Sequence, residues 1–358
     1  MSALRTIRGA AAALAVAVMT LRPVARPVSA GQDDPVSPQV QSAVDRGLEW
    51  LAQKQDSRTG EWPTGMGRST AITSLCVMSL LARGHVPDQG RYGDTINRGI
   101  DYVLSQQQPD SGVLASDTIR QNMYDHGIAT TMLCEVYGMV DEKRQASIKK
   151  AVAKAVRVIL NAQNVRKNSG DQGGWRYQPT SNDSDISVTG WQLMALRGAA
   201  NIGANVPHRA IEDGIAYIKN RAVQTGGFSY NGMSDANAAR TGTGILSLEL
   251  LGQHHTKEAL AGGAYLMANP IGGGRGGLMA EHYFYSVYYC SQAANQLGGS
   301  YFDAIYKPIV DSLLQHQRKD GSWTAAQTNE QQGGDTYATA MALLALEVPY
   351  RYLPLYQR

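Results

Sequence analysis

The side chains able to do chemistry in this 358-residue chain recur at one kind of place. Arg68-Ser69, Asp125-His126, Asp183-Ser184-Asp185, Arg240, Glu281-His282 and Asp335 each stand at the head of a long apolar run. An Asp there fits two roles. As a helix N-cap it accepts bonds from first-turn N–H groups and contributes about 1 kcal/mol. As a buried carboxyl, or one beside a like charge as Asp185 is beside Asp183, it can keep its proton. Capping accounts poorly for Arg240 or His282, because a cation at a helix N-terminus opposes the helix dipole. Tyr124, Trp191, Tyr283, Phe284, Tyr285, Tyr288, Tyr289 and Tyr337 could line a cavity with their π faces. The other reading of that aromatic set is ordinary core packing. Five of its members fall within Tyr283 to Tyr289, and buried phenols need partners, so this segment must face something polar on more than one side.

Other chemistries find less support. Asp125, His126, Glu281, His282 and Asp335 are metal-ligand types, but no H-x-x-x-H or C-x-x-C spacing organises them, so neither a metal nor a cofactor is expected. Gly272 to Gly277 fits G-x-G-x-x-G without a preceding strand and reads as a turn. Cys76, Cys134 and Cys290 are odd in number and each lies in an apolar stretch, which predicts buried packing thiols rather than disulfides. Lys149, Lys150 and Lys154 form a solvated helix face, and His254-His255 reads as a solvated helix end.

The elements that position these residues form a repeat. An apolar-x-x-small-apolar-x-x-apolar pattern occurs at Val44-Gly47-Leu48-Leu51, Ile96-Gly99-Ile100-Val103, Val152-Ala155-Val156-Ile159, Ile211-Gly214-Ile215-Ile218 and Leu260-Gly263-Ala264-Met267. It returns, weakened, at Ile305-Pro308-Ile309-Ser312. The spacing makes each segment a one-faced helix. Each leads through a Gly turn, usually with an aromatic, into a helix apolar nearly all round: Ser69 to Ala82, His126 to Val140, Ser187 to Ile202, Thr241 to Leu251, Tyr283 to Leu297 and Thr336 to Leu346. A helix without a polar face is buried or lines a cavity. Six such pairs predict an all-α fold, an (α/α)6 toroid with a parallel inner ring and an antiparallel outer ring. An open solenoid would need a polar last unit, and Ala338, Met341, Leu343, Leu344 and Leu346 are not polar. In the closed ring all inner N-termini share one mouth, which becomes the expected ligand site. The catalytic candidates there are Asp125, Asp183, Asp185 and Asp335; the binding candidates are Arg68, His126, Trp191, Arg240, His282, Tyr285 and Tyr289.

Composition agrees with a globular chain: 43% of residues are hydrophobic and 18% charged. The formal charge is +3, but Arg5, Arg8, Arg22 and Arg26 precede any acid, so the chain after Ala30 nets 3 − 4 = −1. No global basic surface calls for nucleic acid. Arg5 and Arg8 ahead of the apolar run Ala10 to Leu21, with Val28-Ser29-Ala30 after it, read as a signal peptide over residues 1–30, cleaved near Ala30. A linker over 31–37 and the toroid over 38–358 follow. Export to the periplasm or the medium, with no membrane span in the mature chain, is the expectation.

Gln317-Arg318-Lys319-Asp320-Gly321-Ser322-Trp323 resembles the Q-x-x-D-G-x-W signature of squalene and oxidosqualene cyclases and protein prenyltransferases. Trp50 to Gln55 with Gly60-Glu61-Trp62, and Tyr102-Val103 with Gln107 and Gly112, resemble the same repeat with insertions. The resemblance spans about residues 38 to 349 and implies the α/α toroid, with Gln and Trp stacked between helices. For chemistry it is incomplete. The cyclase acid belongs to a D-x-D-D motif, which Asp183-Ser184-Asp185-Ile186 matches without the final Asp, and the cyclases add a second helical domain; the resemblance implies Asp185 as general acid and the aromatic set as the lining that stabilises a developing carbocation. The prenyltransferase zinc set needs a Cys that is missing beside Glu281-His282-Tyr283 and Asp335-Thr336. The resemblance leaves three functions open: proton-initiated isoprenoid cyclisation by a lyase or isomerase, a non-catalytic binding or scaffold toroid, and a polysaccharide-active, lyase-like toroid. The ligand is expected to be a small molecule or an oligomer, isoprenoid or anionic.

Overall fold

The computed structural model describes residues 36–357 except 66, 117–121, 233–234, 272–281 and 327. The signal segment, most of the linker, Glu281 and the Gly272 to Gly277 turn therefore lie outside the described residues. Six helix pairs follow in order: α1 (Pro38–Lys54) and α2 (Thr70–Ala82), α3 (Gly93–Ser105) and α4 (Asn122–Val136), α5 (Glu142–Gln163) and α6 (Ile186–Asn201), α7 (His208–Lys219) and α8 (Ala238–Leu250), α9 (Lys257–Ala268) and α10 (Tyr283–Leu297), and α11 (Gly299–His316) with α13 (Gly334–Leu346). A single turn, α12 (Thr328–Gln331), interrupts the last pair. The second members pack in the cycle α2, α4, α6, α8, α10, α13 and back to α2, and α13 also packs on α1, so the ring is closed. Every residue of α2 is buried, as its lack of a polar face requires. Among the described residues there is no strand, and no helix is long and apolar enough to cross a membrane. Cys76, Cys134 and Cys290 are buried free thiols.

The repeat motif is the fastening between neighbouring pairs. Gln55 Nε2 donates to the Gly60 carbonyl (3.0 Å) in its own turn and to the Thr95 carbonyl (2.9 Å) at the start of the next outer helix. Gln107 does the same to Gly112 and Ala151, and Gln163 to Gly173 and Ala210. Gln317 donates to Gly321 (2.9 Å) and, across the seam, to Ala43 (2.7 Å) in α1, which fastens the last repeat to the first. The indole N–H groups of Trp62, Trp175 and Trp323 donate to the carbonyls of Leu51, Ile159 and Leu313, each four residues before the matching Gln. The small residue of the next outer helix then lies against the ring: a Cβ on Gly99 would stand 3.1 Å from Trp62, and one on Gly47 3.2 Å from Trp323. Gly60 carries a second constraint, because at φ 84° a side chain would be strained and would meet the Arg98 carbonyl at 2.2 Å.

Inner helices are locked to the same turns. The backbone N–H groups of Trp62, Trp175, Phe228 and Trp323 donate to the hydroxyls of Thr73, Thr189, Thr241 and Thr339. In the second repeat the pair is Leu114 N–H to His126 Nδ1, at 2.9 Å. The inner helices lie within two residues of the predicted spans except α8, which begins three residues earlier at Ala238, and α4, which runs a turn earlier at both ends, Asn122–Val136 rather than His126 to Val140. The earlier start of α4 decides the roles of Asp125 and His126.

Candidate functional site

The N-terminal ends of all six inner helices surround a cavity of about 490 Å³. Its polar rim comprises Ser69, Asn237, Arg240, His282, Asn329 and Gln332; Tyr124, Tyr177, Tyr230, Tyr285 and Tyr337 stand around it, and Ala71, Ile72, Leu75, Ile128, Trp191 and Met341 complete an apolar lining. Of the catalytic and binding candidates, Asp125, Trp191, Arg240, His282 and Tyr285 line this space together. Arg240 is also 5.3 Å from the Tyr230 ring, a cation–π contact that gives a cation reason to sit at a helix start. His282 precedes α10 in a left-handed conformation, φ 56°, and its Nε2 is 3.3 Å from Asn329 Nδ2.

Asp125 caps a neighbour rather than its own helix. From the first turn of α4 its Oδ1 accepts the Ala71 N–H (2.8 Å) and the Ser69 hydroxyl (3.2 Å), so it completes the N-terminus of α2. Burial pushes its carboxyl up to about 6, against the pull of those same donors. Asp185 is the N-cap of α6, accepting from Val188 N–H at 2.9 Å, and is likewise pushed up to about 6 by burial, opposed by Val188 and Arg176.

Six of the candidates lie outside the cavity lining. Asp185 is fully buried but is not part of the cavity lining. Its neighbour Asp183 is not the source of its raised pKa: Asp183 turns to Arg176 (2.7 Å), which also sits 3.3 Å from Asp185. Asp335 pairs with Arg318 (2.8 Å), while Arg68, half exposed, pairs with Glu61 (3.3 Å). His126 is fully buried, with Nε2 3.1 Å from the Ala155 carbonyl, and burial holds it neutral with a pKa lowered to about 4. It does the fastening work that Thr does in other repeats. Tyr289 lies behind the wall, edge-on to Trp191 and 4.6 Å from Tyr285. Within the Tyr-rich segment, polar neighbours are found on more than one side: Tyr283 reaches Ser312 (2.7 Å) and Tyr288 reaches Tyr356 (2.6 Å).

Three contributors were missed in the sequence. Tyr177 and Tyr230, hydrogen-bonded to each other, each follow a repeat aromatic, Trp175 and Phe228, by two residues; comparing that register would have found them. Glu330 on α12 accepts the N–H groups of Phe284 (3.3 Å) and Tyr285 (3.1 Å), capping α10, and burial raises its carboxyl pKa. It stands in an insertion that no repeat marks.

The sequence profile of the prenyltransferase alpha-alpha toroid domain matches residues 71–279 and 277–355. The chain belongs to that family. Solved toroids share its architecture at low identity. The type II terpene cyclase MstE from Scytonema, in complex with merosterolic acid A, is 14% identical with a TM-score of 0.56, covering 87% of this chain and 97% of that one. An α-1,6-mannanase of Salegentibacter in complex with α-1,6-mannotriose is 10% identical with a TM-score of 0.63, covering 87% and 99%. Candida albicans protein geranylgeranyltransferase-I, complexed with GGPP, is 12% identical with a TM-score of 0.51, covering 87% and 92%. No curated protein matches the chain by sequence. For this member of the toroid family, the fold is therefore shared with enzymes of different chemistry, and function has to be argued from the cavity.

Proposed function

We propose that the toroid takes an isoprenoid chain into the central cavity and that Asp125 is the acid of a proton-initiated cyclisation. The observation that carries this reading is a carboxyl with a raised pKa in the wall of an aromatic, apolar-lined space. The role moves from Asp185, favoured by motif, to Asp125, which lines the cavity. In the step itself the Asp125 O–H bond breaks and its proton joins one carbon of an alkene, whose π pair forms the new C–H bond. The tertiary cation left behind is attacked by the next π pair, closing a ring, and the faces of Tyr124, Trp191, Tyr285 and Tyr337 stabilise the migrating charge. The last cation loses a proton to water, and solvent at the rim reprotonates Asp125. Arg240, His282 and Asn329 would hold a polar head group at the rim.

Solved relatives of this fold lend support by what they hold: MstE has been seen with geranylgeranyl dihydroxybenzoate and the geranylgeranyltransferase with GGPP. The mannanase likeness keeps one rival alive, a glycan site using Asp125 and Glu330. Incubating the purified protein with farnesol, farnesyl diphosphate, oligogalacturonate and α-1,6-mannotriose separates the readings. Cyclisation predicts an isomer of unchanged mass from an isoprenoid, carrying solvent deuterium when the reaction is run in D2O, and lost in Asp125→Asn. Loss of affinity for the diphosphate alone in Arg240→Ala would place an anionic head at the rim. Saturable glycan binding without isoprenoid binding would move the glycan reading to first place, and no binding would leave a scaffold. Export belongs to the same proposal: the secreted chain should begin near Gly31 by N-terminal sequencing, and a soluble cytoplasmic chain starting at Met1 would refute it.

A further inference from the structure

The inner ring has a second mouth, at the C-terminal ends of its helices, and residues 348–357 fill it. After α13 the backbone makes a turn at Val348–Tyr350, reverses at Arg351 with φ 57°, and returns as Pro354–Tyr356. Leu353, Leu355 and Tyr356 are each only 4% exposed. Leu355 N–H donates to Glu135 Oε1 (3.0 Å) on α4, and Gln296 Nε2 on α10 donates to the Tyr356 carbonyl (2.9 Å). In the cycle of six, α4 and α10 are diametrically opposite, so a segment bonded to both crosses the axis.

The Tyr356 side chain then points toward the middle of the ring. Its hydroxyl is 2.6 Å from that of Tyr288 and 3.7 Å from Met194 Sδ. Tyr288 stacks on Trp191 with centroids 5.7 Å apart and planes within 6°, and Trp191 lines the cavity. A single layer of rings thus separates the tail from the site above it. Buried aromatic faces are large and stiff, so this column transmits the position of the tail to the cavity floor.

We infer that residues 353–357 are a cork that closes the second mouth, and that Tyr356, acting through Tyr288 and Trp191, sets the depth of the central cavity. The first half is a statement about the protein alone. The second rests on the isoprenoid reading, because depth then limits the chain length accepted.

Met194→Cys in the full-length chain tests the cork. Maleimide adducts, read by intact mass, should leave the new thiol as protected as Cys76, Cys134 and Cys290. Adding Tyr356→Ala should speed its modification about tenfold or more through local opening, with those three native thiols still silent. Should all four thiols react together, the ring itself has opened, and Tyr356→Phe, which removes only the hydroxyl contacts, becomes the deciding variant. An unchanged rate in the deciding variant overturns the cork. For depth, affinities for farnesol and geranylgeraniol are compared; Tyr356→Ala should shift the ratio toward the longer alcohol by about tenfold, the size of effect a pocket gains from extra apolar contact. An unchanged ratio with an exposed thiol at 194 overturns the role of Tyr356 in depth. If neither alcohol binds any form, the isoprenoid reading and the depth role fall together, while the thiol result decides the cork independently.

Discussion

At the upper mouth Asp125, Asp185 and Glu330 sit at the N-terminal ends of α2, α6 and α10; at the lower mouth Glu135, Glu249 and Glu347 sit at the C-terminal ends of α4, α8 and α13. All six carboxyls are buried, and alternate helices of the ring carry them at alternate ends. The upper three accept helix N–H bonds at the positive end of a dipole, so ionisation is opposed by burial and assisted by the backbone. Below, helix ends present carbonyls instead. Glu135 accepts one N–H from the tail and its pKa is pushed up to about 8 by burial, while neither carboxyl oxygen of Glu347 has a hydrogen-bond partner among the described residues and burial raises its pKa well above the ordinary carboxylate value. A buried carboxyl is a poised acid at Asp125 and a neutral filler at Glu135 and Glu347.

The largest effect expected from this contrast is on turnover. Asp125→Asn keeps an acceptor for Ala71 and removes the acid, so isoprenoid conversion should fall by roughly 10²–10⁴, whereas Glu135→Gln should leave it unchanged; equal losses measured by product formation would erase the distinction between the mouths. Next comes pH. Asp125 and Asp185 have folded pKa values near 6 against ordinary values of 3.8. Their protonated forms therefore stabilise the fold fully below about pH 3.8, and that stabilisation, a few kcal/mol at most for each, is lost as pH rises through 6. Glu135 extends the decline from 4.5 to about 8. Denaturant titrations across this range should show Asp125→Asn flattening the acidic limb and Glu135→Gln the neutral one. At about 1–2 kcal/mol, Glu330→Ala should lower the melting temperature by uncapping α10, while Glu347→Gln, which loses no bond, should leave it unchanged or raise it. The smallest change is expected outside both mouths: Asp183→Asn breaks a partly exposed pair with Arg176 and should alter stability by less than about 1 kcal/mol in the same melts.

What the sequence made legible follows from what repeats. The i, i+3, i+4, i+7 stripes, the Gly turns and the Gln and Trp fastenings occur several times each, so one misread copy is outvoted by the others, and the closed ring followed. The mouth was legible as a place because every inner helix begins there. Assigning side chains within it was harder. Whether Asp125 or Asp185 lines the cavity depends on one extra turn at the start of α4, and a shift of one residue rotates a helical side chain by about 100°. His126 looked like a ligand because its type is unusual for its position; it is a substitute for Thr. Glu330 and the carboxy-terminal tail were illegible for the opposite reason, since each occurs once, outside the repeat, and draws its role from residues far away in the chain.

The Gln317 to Ala43 bond has a consequence for how the molecule comes into being. Each earlier fastening joins residues about forty to fifty positions apart, but this one spans 274. Helix pairs can therefore form and stack one after another as the chain is made, whereas the final loop closure brings the two ends of the domain together and carries most of the entropy of long-range contact. Until it happens, α2 and α13 each offer an apolar flank with nothing against it, a state open to association with another copy. A variant that loosens only this seam would leave the helices intact and lengthen that vulnerable interval, so its signature would be aggregation during refolding rather than any loss of helical content.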